Sequence, residues 1–293
     1  MNMIACFFAR RLRLIPALLL LLPGIAWAAP PQVFVSISPL DTFVERISDG
    51  RIQARTMVRP GHSPATYDPT PQQITALAQT DLYIRAGVPF ERAWMQRIRA
   101  ANSDMAVLDA SEGLALRTME AHGHHDDHGH SHLDPHVWTS PRLVIRIAEK
   151  IAQRLIRLDP ANADAYRAGQ RRFVGELNAL DREITVRLKP FRNRAFMIFH
   201  PAWGYFADAY GLRQIAIEHE GKSPGARALA GLIDQAKEQN IRTVFVQPQF
   251  PVRHAQRVAE AIGGRVIVAD PLADDYIANL RRVSRHFAQA LQP

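Results

Sequence analysis

The 293-residue chain carries 36 basic and 28 acidic residues, a formal net charge of +8. Its arginines are scattered along helical segments, as at Arg142, Arg146, Arg154 and Arg157, with no basic block or interleaved aromatics, so nucleic acid is not an expected partner. The only cysteine, Cys6, excludes a disulfide framework and a thiolate metal site; a soft-metal centre would have to use imidazole and carboxylate.

Residues 1–28 read as a secretory leader. Arg10, Arg11 and Arg13 precede a Leu-rich run, and Ala26-Trp27-Ala28 fits the small-x-small cleavage rule. The apolar run is about 14 residues, short of the roughly 20 that span a bilayer. Cys6 lies ahead of that run and not at the cleavage point, so the expectation is a periplasmic chain without a lipid anchor. About 265 residues remain with a net charge near +5, a length that suits two cores.

Short runs rich in Val, Ile and Phe then alternate with longer segments of helical period, the pattern of parallel α/β units. The predicted strands are 33–37, 52–58, 82–86 and 106–108, then 196–199, 214–217, 244–246 and 266–269. This gives an α/β protein of two lobes, each a four-stranded parallel sheet flanked by helices. The expected division is 29–158 for the first lobe, 159–189 for a linker helix and 190–293 for the second lobe. Asp159-Pro160 offers a cap and a first-turn proline, and Tyr166, Phe173, Leu177, Leu180, Ile184 and Leu188 form one apolar stripe. A break near Gly169 or Gly175 is the alternative to one continuous helix.

Between the fourth strand and that helix lies a polar, glycine-punctuated segment from His122 to His132. His122, His124, His125, His128, His130 and His132 make it an expected auxiliary, low-affinity metal loop, because ordering a flexible segment around an ion costs entropy. A polar loop with no metal role is the alternative.

Four further residues follow predicted strands: His62, His136, His200 and Asp270. Ligands of open parallel sheets bind at the carboxyl ends of strands, and in a two-lobed protein both sets of ends can face one cleft. Three imidazoles and a carboxylate form a tetrahedral set suited to Zn2+, tolerable also for cobalt, nickel or manganese. Four protein ligands leave no position for an activated water, which argues for binding over hydrolysis. No His-Glu-x-x-His or Gly-x-Ser-x-Gly motif is present, so no enzyme is expected. For Asp270 the competing reading is an Asp-Pro turn that caps the next helix.

With these residues the chain resembles the metal-specific solute-binding proteins of ATP-binding-cassette importers. The motifs are Tyr67-Asp-Pro-Thr-Pro71, Ala86-Gly-Val-Pro-Phe-Glu91, Asp134-Pro-His-Val-Trp138, Phe199-His200 with Gly204-Tyr-Phe206, Val246-Gln-Pro-Gln-Phe250 and Asp270-Pro-Leu272. The resemblance implies two α/β lobes on one long helix and the metal ligands His62, His136, His200 and Asp270. It implies zinc over manganese, from His200 and the His-rich loop, with delivery by a monomer to a membrane permease. A stand-alone zinc buffer or chaperone, or a receptor for manganese or another divalent metal, are the alternatives. Two departures stand out: Ala65 occupies a position where the family often has histidine, and Gln247 one where many relatives have glutamate.

Overall fold

The computed structural model describes residues 30–119, 133–218 and 223–292. The leader expected at 1–28 and the expected metal loop with its six histidines from His122 to His132 lie outside them. In the first lobe β1 (Val33–Val35), α1 (Ser38–Ser48), β2 (Arg55–Thr56), α2 (Pro71–Ala76), β3 (Leu82–Arg85), α3 (Pro89–Ala101) and β4 (Ala106–Asp109) build a parallel sheet of order β2-β1-β3-β4. After α4 (Pro141–Leu158) and α5 (Ala163–Leu188), the second lobe repeats the plan. It comprises β5 (Ala195–Ile198), α6 (Gly204–Tyr210), β6 (Arg213–Ala216), α7 (Ala226–Glu238), β7 (Thr243–Val246), α8 (Val252–Ala261), β8 (Arg265–Val268) and α9 (Tyr276–Ala290), with sheet order β6-β5-β7-β8. All eight predicted strands are present. The 52–58 run shrinks most, to Arg55–Thr56, because β2 is an edge strand paired only to β1 and Ile52 is drawn to the end of α1, donating its N–H to Ser48 Oγ at 3.2 Å.

The linker is a continuous helix of 26 residues, about 39 Å at 1.5 Å per residue. It starts later than the Asp159-Pro160 signal suggests: Pro160–Asn162 form a 3-10 turn. The Asp159 carboxylate, instead of capping, accepts hydrogen bonds from Tyr166 Oη at 2.6 Å and from Asn162 at 2.8 Å. The buried stripe is Tyr166, Gly169, Phe173, Leu177, Leu180, Ile184 and Leu188. Gly169 supplies the missing step between Tyr166 and Phe173, where a Cβ would stand 2.1 Å from the Ile47 carbonyl oxygen. The helix breaker of the sequence reading is thus the contact that lets α1 cross α5.

α5 packs on α1 and α4 of one lobe and α9 of the other, and a single apolar cluster runs from the first sheet through α5 into the second lobe. Buried polar contacts also cross between lobes. Trp138 Nε1 donates to the Pro271 carbonyl at 2.8 Å, and Tyr276 Oη donates to the Trp138 carbonyl at 2.8 Å. Phe43 and Tyr276 meet edge to face at 5.0 Å. Among the described residues no helix is long and apolar enough to cross a membrane.

Candidate metal centre

The carboxyl ends of both sheets open on one cavity of about 360 Å3, walled by the loops after β2 (Ser63–Thr66), β3 (Gly87–Pro89), β5 (His200), β7 (Gln247–Phe250) and β8 (Pro271, Leu272), together with Pro135–Trp138. Parallel strands that end side by side leave their connecting loops at a shared edge, which is why ligands collect there. Gly87, at φ +80°, gives the β3 loop a turn that a side chain would strain. Beneath that turn lies Glu91, fully buried. Its Oε2 accepts from the Gly87 and Val88 N–H groups at 2.7 and 3.0 Å, and its Oε1 accepts from Tyr83 Oη at 3.0 Å. Burial raises the Glu91 carboxyl to about 7, against the opposing hydrogen bonds and the Arg85 charge.

Two imidazoles meet in the cavity. His136 Nε2 and His200 Nε2 are 3.3 Å apart. Each ring is held from behind by a buried carboxylate: His136 Nδ1 lies 2.7 Å from Asp134 Oδ1, and His200 Nδ1 lies 2.5 Å from Glu218 Oε1. Both acids are 2% exposed. A carboxylate accepts and does not donate, so each ring carries its hydrogen on Nδ1 and turns the lone pair of Nε2 into the cavity. Two lone pairs at that distance repel unless a cation lies between them. Zinc–nitrogen bonds of 2.0–2.1 Å at a tetrahedral angle place two ligand nitrogens about 3.3–3.4 Å apart. Burial pushes His200 below the ordinary imidazole value, more strongly than its bond to Glu218 raises it, and this keeps the ring neutral and available to a metal. Phe250 stacks on His200 at 5.0 Å and Trp138 lies over His136 at 5.1 Å.

Gln247 fixes His200 by its backbone. Fully buried, the amide accepts from the His200 N–H at 3.3 Å and donates to the His200 carbonyl at 2.6 Å. An amide satisfies both groups, whereas a carboxylate has no hydrogen for the carbonyl.

The other two predicted ligands lie elsewhere. His62 is exposed, with its Nδ1 3.2 Å from the Pro60 carbonyl and its ring edge-on to Tyr67. Asp270 Oδ1 accepts from the Leu272 N–H at 2.9 Å and from Gln249 Nε2 at 3.1 Å, the geometry of an Asp-Pro turn. Both line a neighbouring cavity of about 100 Å3, and Gln249 and Leu272 form the wall between the two spaces. Among the described residues no three His, Cys, Asp or Glu side chains gather in a group ready to hold a metal. His286 is half-buried in α9, away from this cavity, and burial lowers its pKa.

Sequence reasoning passed over Glu218 and gave no role to Asp134 or Gln247. Glu218 left a signal, an acid directly after the apolar β6 run, where exposure would be expected and burial needs a partner.

Two α/β lobes on a stiff helix, with a carboxylate-oriented imidazole pair at the meeting of their strand ends, define a two-lobed binding protein with a cleft suited to a metal ion. Residues 33–290 match the family described as "Zinc-uptake complex component A periplasmic", and the chain belongs to that family. A protein of Yersinia pestis named "High-affinity zinc uptake system protein ZnuA" is 29% identical, over 90% of this chain and 92% of its own. The solved structure titled "Crystal structure of ZnuA" superposes with a TM-score of 0.84 at 39% identity, covering 90% of this chain and all of that one. A deletion mutant of ZnuA, titled as having zinc bound, gives a TM-score of 0.83 at 39% identity over the same shares.

Proposed function

We propose that this chain is a periplasmic receptor that captures zinc and presents it to the permease of an ATP-binding-cassette importer. The observation that carries the reading is the His136–His200 pair, whose two Nε2 atoms stand at the separation of neighbouring ligands on one tetrahedral ion. Nitrogen donors backed by carboxylates suit zinc, and relatives such as the Yersinia pestis protein are named for its uptake. Both imidazoles are committed through Nδ1 to buried acids, so they serve as fixed donors and not as proton shuttles; we assign no catalytic step. Residues 1–28 act as the leader that exports the chain, cleaved after Ala28 and leaving no lipid anchor. Residues 29–158 and 190–293 are the lobes on the 159–189 strut, and the receptor works as a monomer with no nucleic-acid partner. His122 to His132 serve as an auxiliary collector of the ion.

Elemental analysis of the protein purified from periplasm, without chelating agents or an affinity tag, tests the assignment. Near-stoichiometric zinc is expected in the wild type, and its loss in His136→Ala and in His200→Ala. Protons compete for the same nitrogens, so retention on dialysis weakens as pH falls. Because His200 titrates below the ordinary imidazole value, the loss sets in below about pH 6.5. Zinc retained equally from pH 7.5 to 5 would rule out imidazole ligation, and a different metal in the wild type would overturn the zinc assignment.

A further inference from the structure

The Gly204-Tyr205-Phe206 motif opens α6 in the second lobe, and its first two residues bear on the acid that orients His136. A glycine at this point has no backbone reason to be there. Gly204 begins a helix without a positive φ, and glycine weakens a helix relative to alanine. Packing supplies the reason: a Cβ at Gly204 would stand 1.8 Å from Arg117 Nη1, so the missing side chain is the space that the guanidinium fills. From that seat Arg117 Nε lies 3.9 Å from Asp134 Oδ2, and Nη1 lies 3.7 Å from Asp208 Oδ2 on α6. Asp208 is exposed. Asp134 is buried, and its other oxygen, Oδ1, accepts from the His136 N–H at 3.0 Å and lies 2.7 Å from Nδ1. A buried carboxylate needs a compensating charge, and Arg117 brings one to the oxygen that the ring does not use.

Backbone groups fix the same residues. The Arg117 N–H donates to Tyr205 Oη at 3.0 Å, Tyr205 Oη donates to the Asp134 carbonyl at 2.8 Å, and the Asp134 N–H donates to the Arg117 carbonyl at 2.9 Å. These bonds close a ring across the two lobes, with Tyr205 from α6 and Arg117 and Asp134 from the chain between β4 and α4.

We infer that Arg117 is a positioning residue of the metal site: seated over Gly204 and tied through Tyr205, it holds the Asp134 carboxylate against His136 Nδ1 and so keeps Nε2 turned to the ion. The inference rests on the metal-receptor reading above and goes past it, by placing a determinant of affinity outside the ligands and their carboxylates, where the lobes meet.

Zinc competition titration and proton–nitrogen correlation spectra of the His136 ring decide the matter, in Arg117→Gln, Arg117→Lys and Gly204→Ala. Arg117→Gln removes the charge and should weaken zinc binding about tenfold, the lower end for outer partners of a metal-bound histidine. In its metal-free spectra part of the His136 signal should move to the tautomer with hydrogen on Nε2. Arg117→Lys keeps a point charge and should stay within about threefold of wild type. Gly204→Ala leaves every charged group in place. The atom it displaces is the end of a flexible side chain, so the helix stands while the guanidinium is pushed away, and affinity should fall as in Arg117→Gln. In an Asp134→Asn background, Arg117→Gln should cost less than about twofold more, because residues that act through one another are not additive. Suppose instead that Arg117→Gln and Gly204→Ala lower the unfolding temperature but leave affinity unchanged, or that the loss is as large with Asn at 134. Arg117 is then structural only, and the inference fails while the receptor reading stands. A wild-type protein that retains no zinc would overturn the receptor reading and this inference with it.

Discussion

A ring nitrogen can hold a metal only when its hydrogen is on the other nitrogen, and Asp134 and Glu218 decide where that hydrogen sits. Glu218→Gln offers an N–H to His200 Nδ1, which favours the tautomer with hydrogen on Nε2, pointed at the metal position. Zinc affinity is therefore expected to fall about 10–100-fold, the range for outer partners of metal-bound histidine. Competition titration of Glu218→Gln and Asp134→Asn checks this, and a loss under about threefold in both would mean the carboxylates do not orient the rings. Gln247→Glu makes a different prediction. It removes the donor to the His200 carbonyl and buries a charge, so stability should drop by about 1–3 kcal/mol in denaturant unfolding. These residues also mark how far the sequence could be read. His200 follows β5 closely and could be placed by the strand-end rule alone, whereas His136 lies well beyond β4 and is marked by its Asp134-Pro-His motif. The carboxylate partner of His200 lies 18 residues away, just past the end of β6, and only tertiary pairing of β5 with β6 brings them together. His62 and Asp270 obey the same strand-end rule yet face a neighbouring space, because local turn bonds at Pro60 and Leu272 outweigh the sheet-level geometry.

Two glycines on α5 separate local propensity from packing. In sequence Gly169 and Gly175 look equivalent, each a possible break in the stripe. In the structure a Cβ at Gly169 would meet the Ile47 carbonyl at 2.1 Å, while nothing lies within 4 Å of one at exposed Gly175. Gly175→Ala should therefore stabilise the protein by up to about 1 kcal/mol, the usual helix preference of alanine. Gly169→Ala gains the same preference but forces α1 and α5 apart, and should destabilise by about 1–3 kcal/mol or more. Thermal unfolding of both variants reads the signs, and two shifts in the same direction would refute the close crossing. The elements themselves were legible because apolar periodicity survives in a single chain. Their ends were less so: Asp159 looked like a cap but spends its carboxylate on Tyr166.

At the scale of the whole molecule, the question is whether metal capture can swing one lobe against the other. α5 is a continuous helix that buries its stripe against α1, α4 and α9, so no flexible strand pair serves as a hinge. Opening the lobes would also break the Trp138–Pro271 and Tyr276–Trp138 bonds, each worth about 1–3 kcal/mol when a buried partner is left unpaired. It would further expose part of a common apolar core, at about 25 cal/mol per Å2. A ligand can drive such a change only through its difference in affinity for the two forms. The imidazole pair already has ligand spacing, which leaves little difference to exploit. Metal loading should therefore order loops at the cavity while the lobes stay within about 1 Å of their positions, as in preorganised complexes. Cys6 is the only cysteine, so the chain from residue 29 onward has no thiol, and Arg99→Cys on α3 and Arg257→Cys on α8 can carry spin labels without background in that chain. Pulsed dipolar spectroscopy with and without zinc should give coincident distance distributions. A displacement of more than about 5 Å would show that the strut yields, and that recognition by a permease reads lobe closure instead of the loops around the cleft.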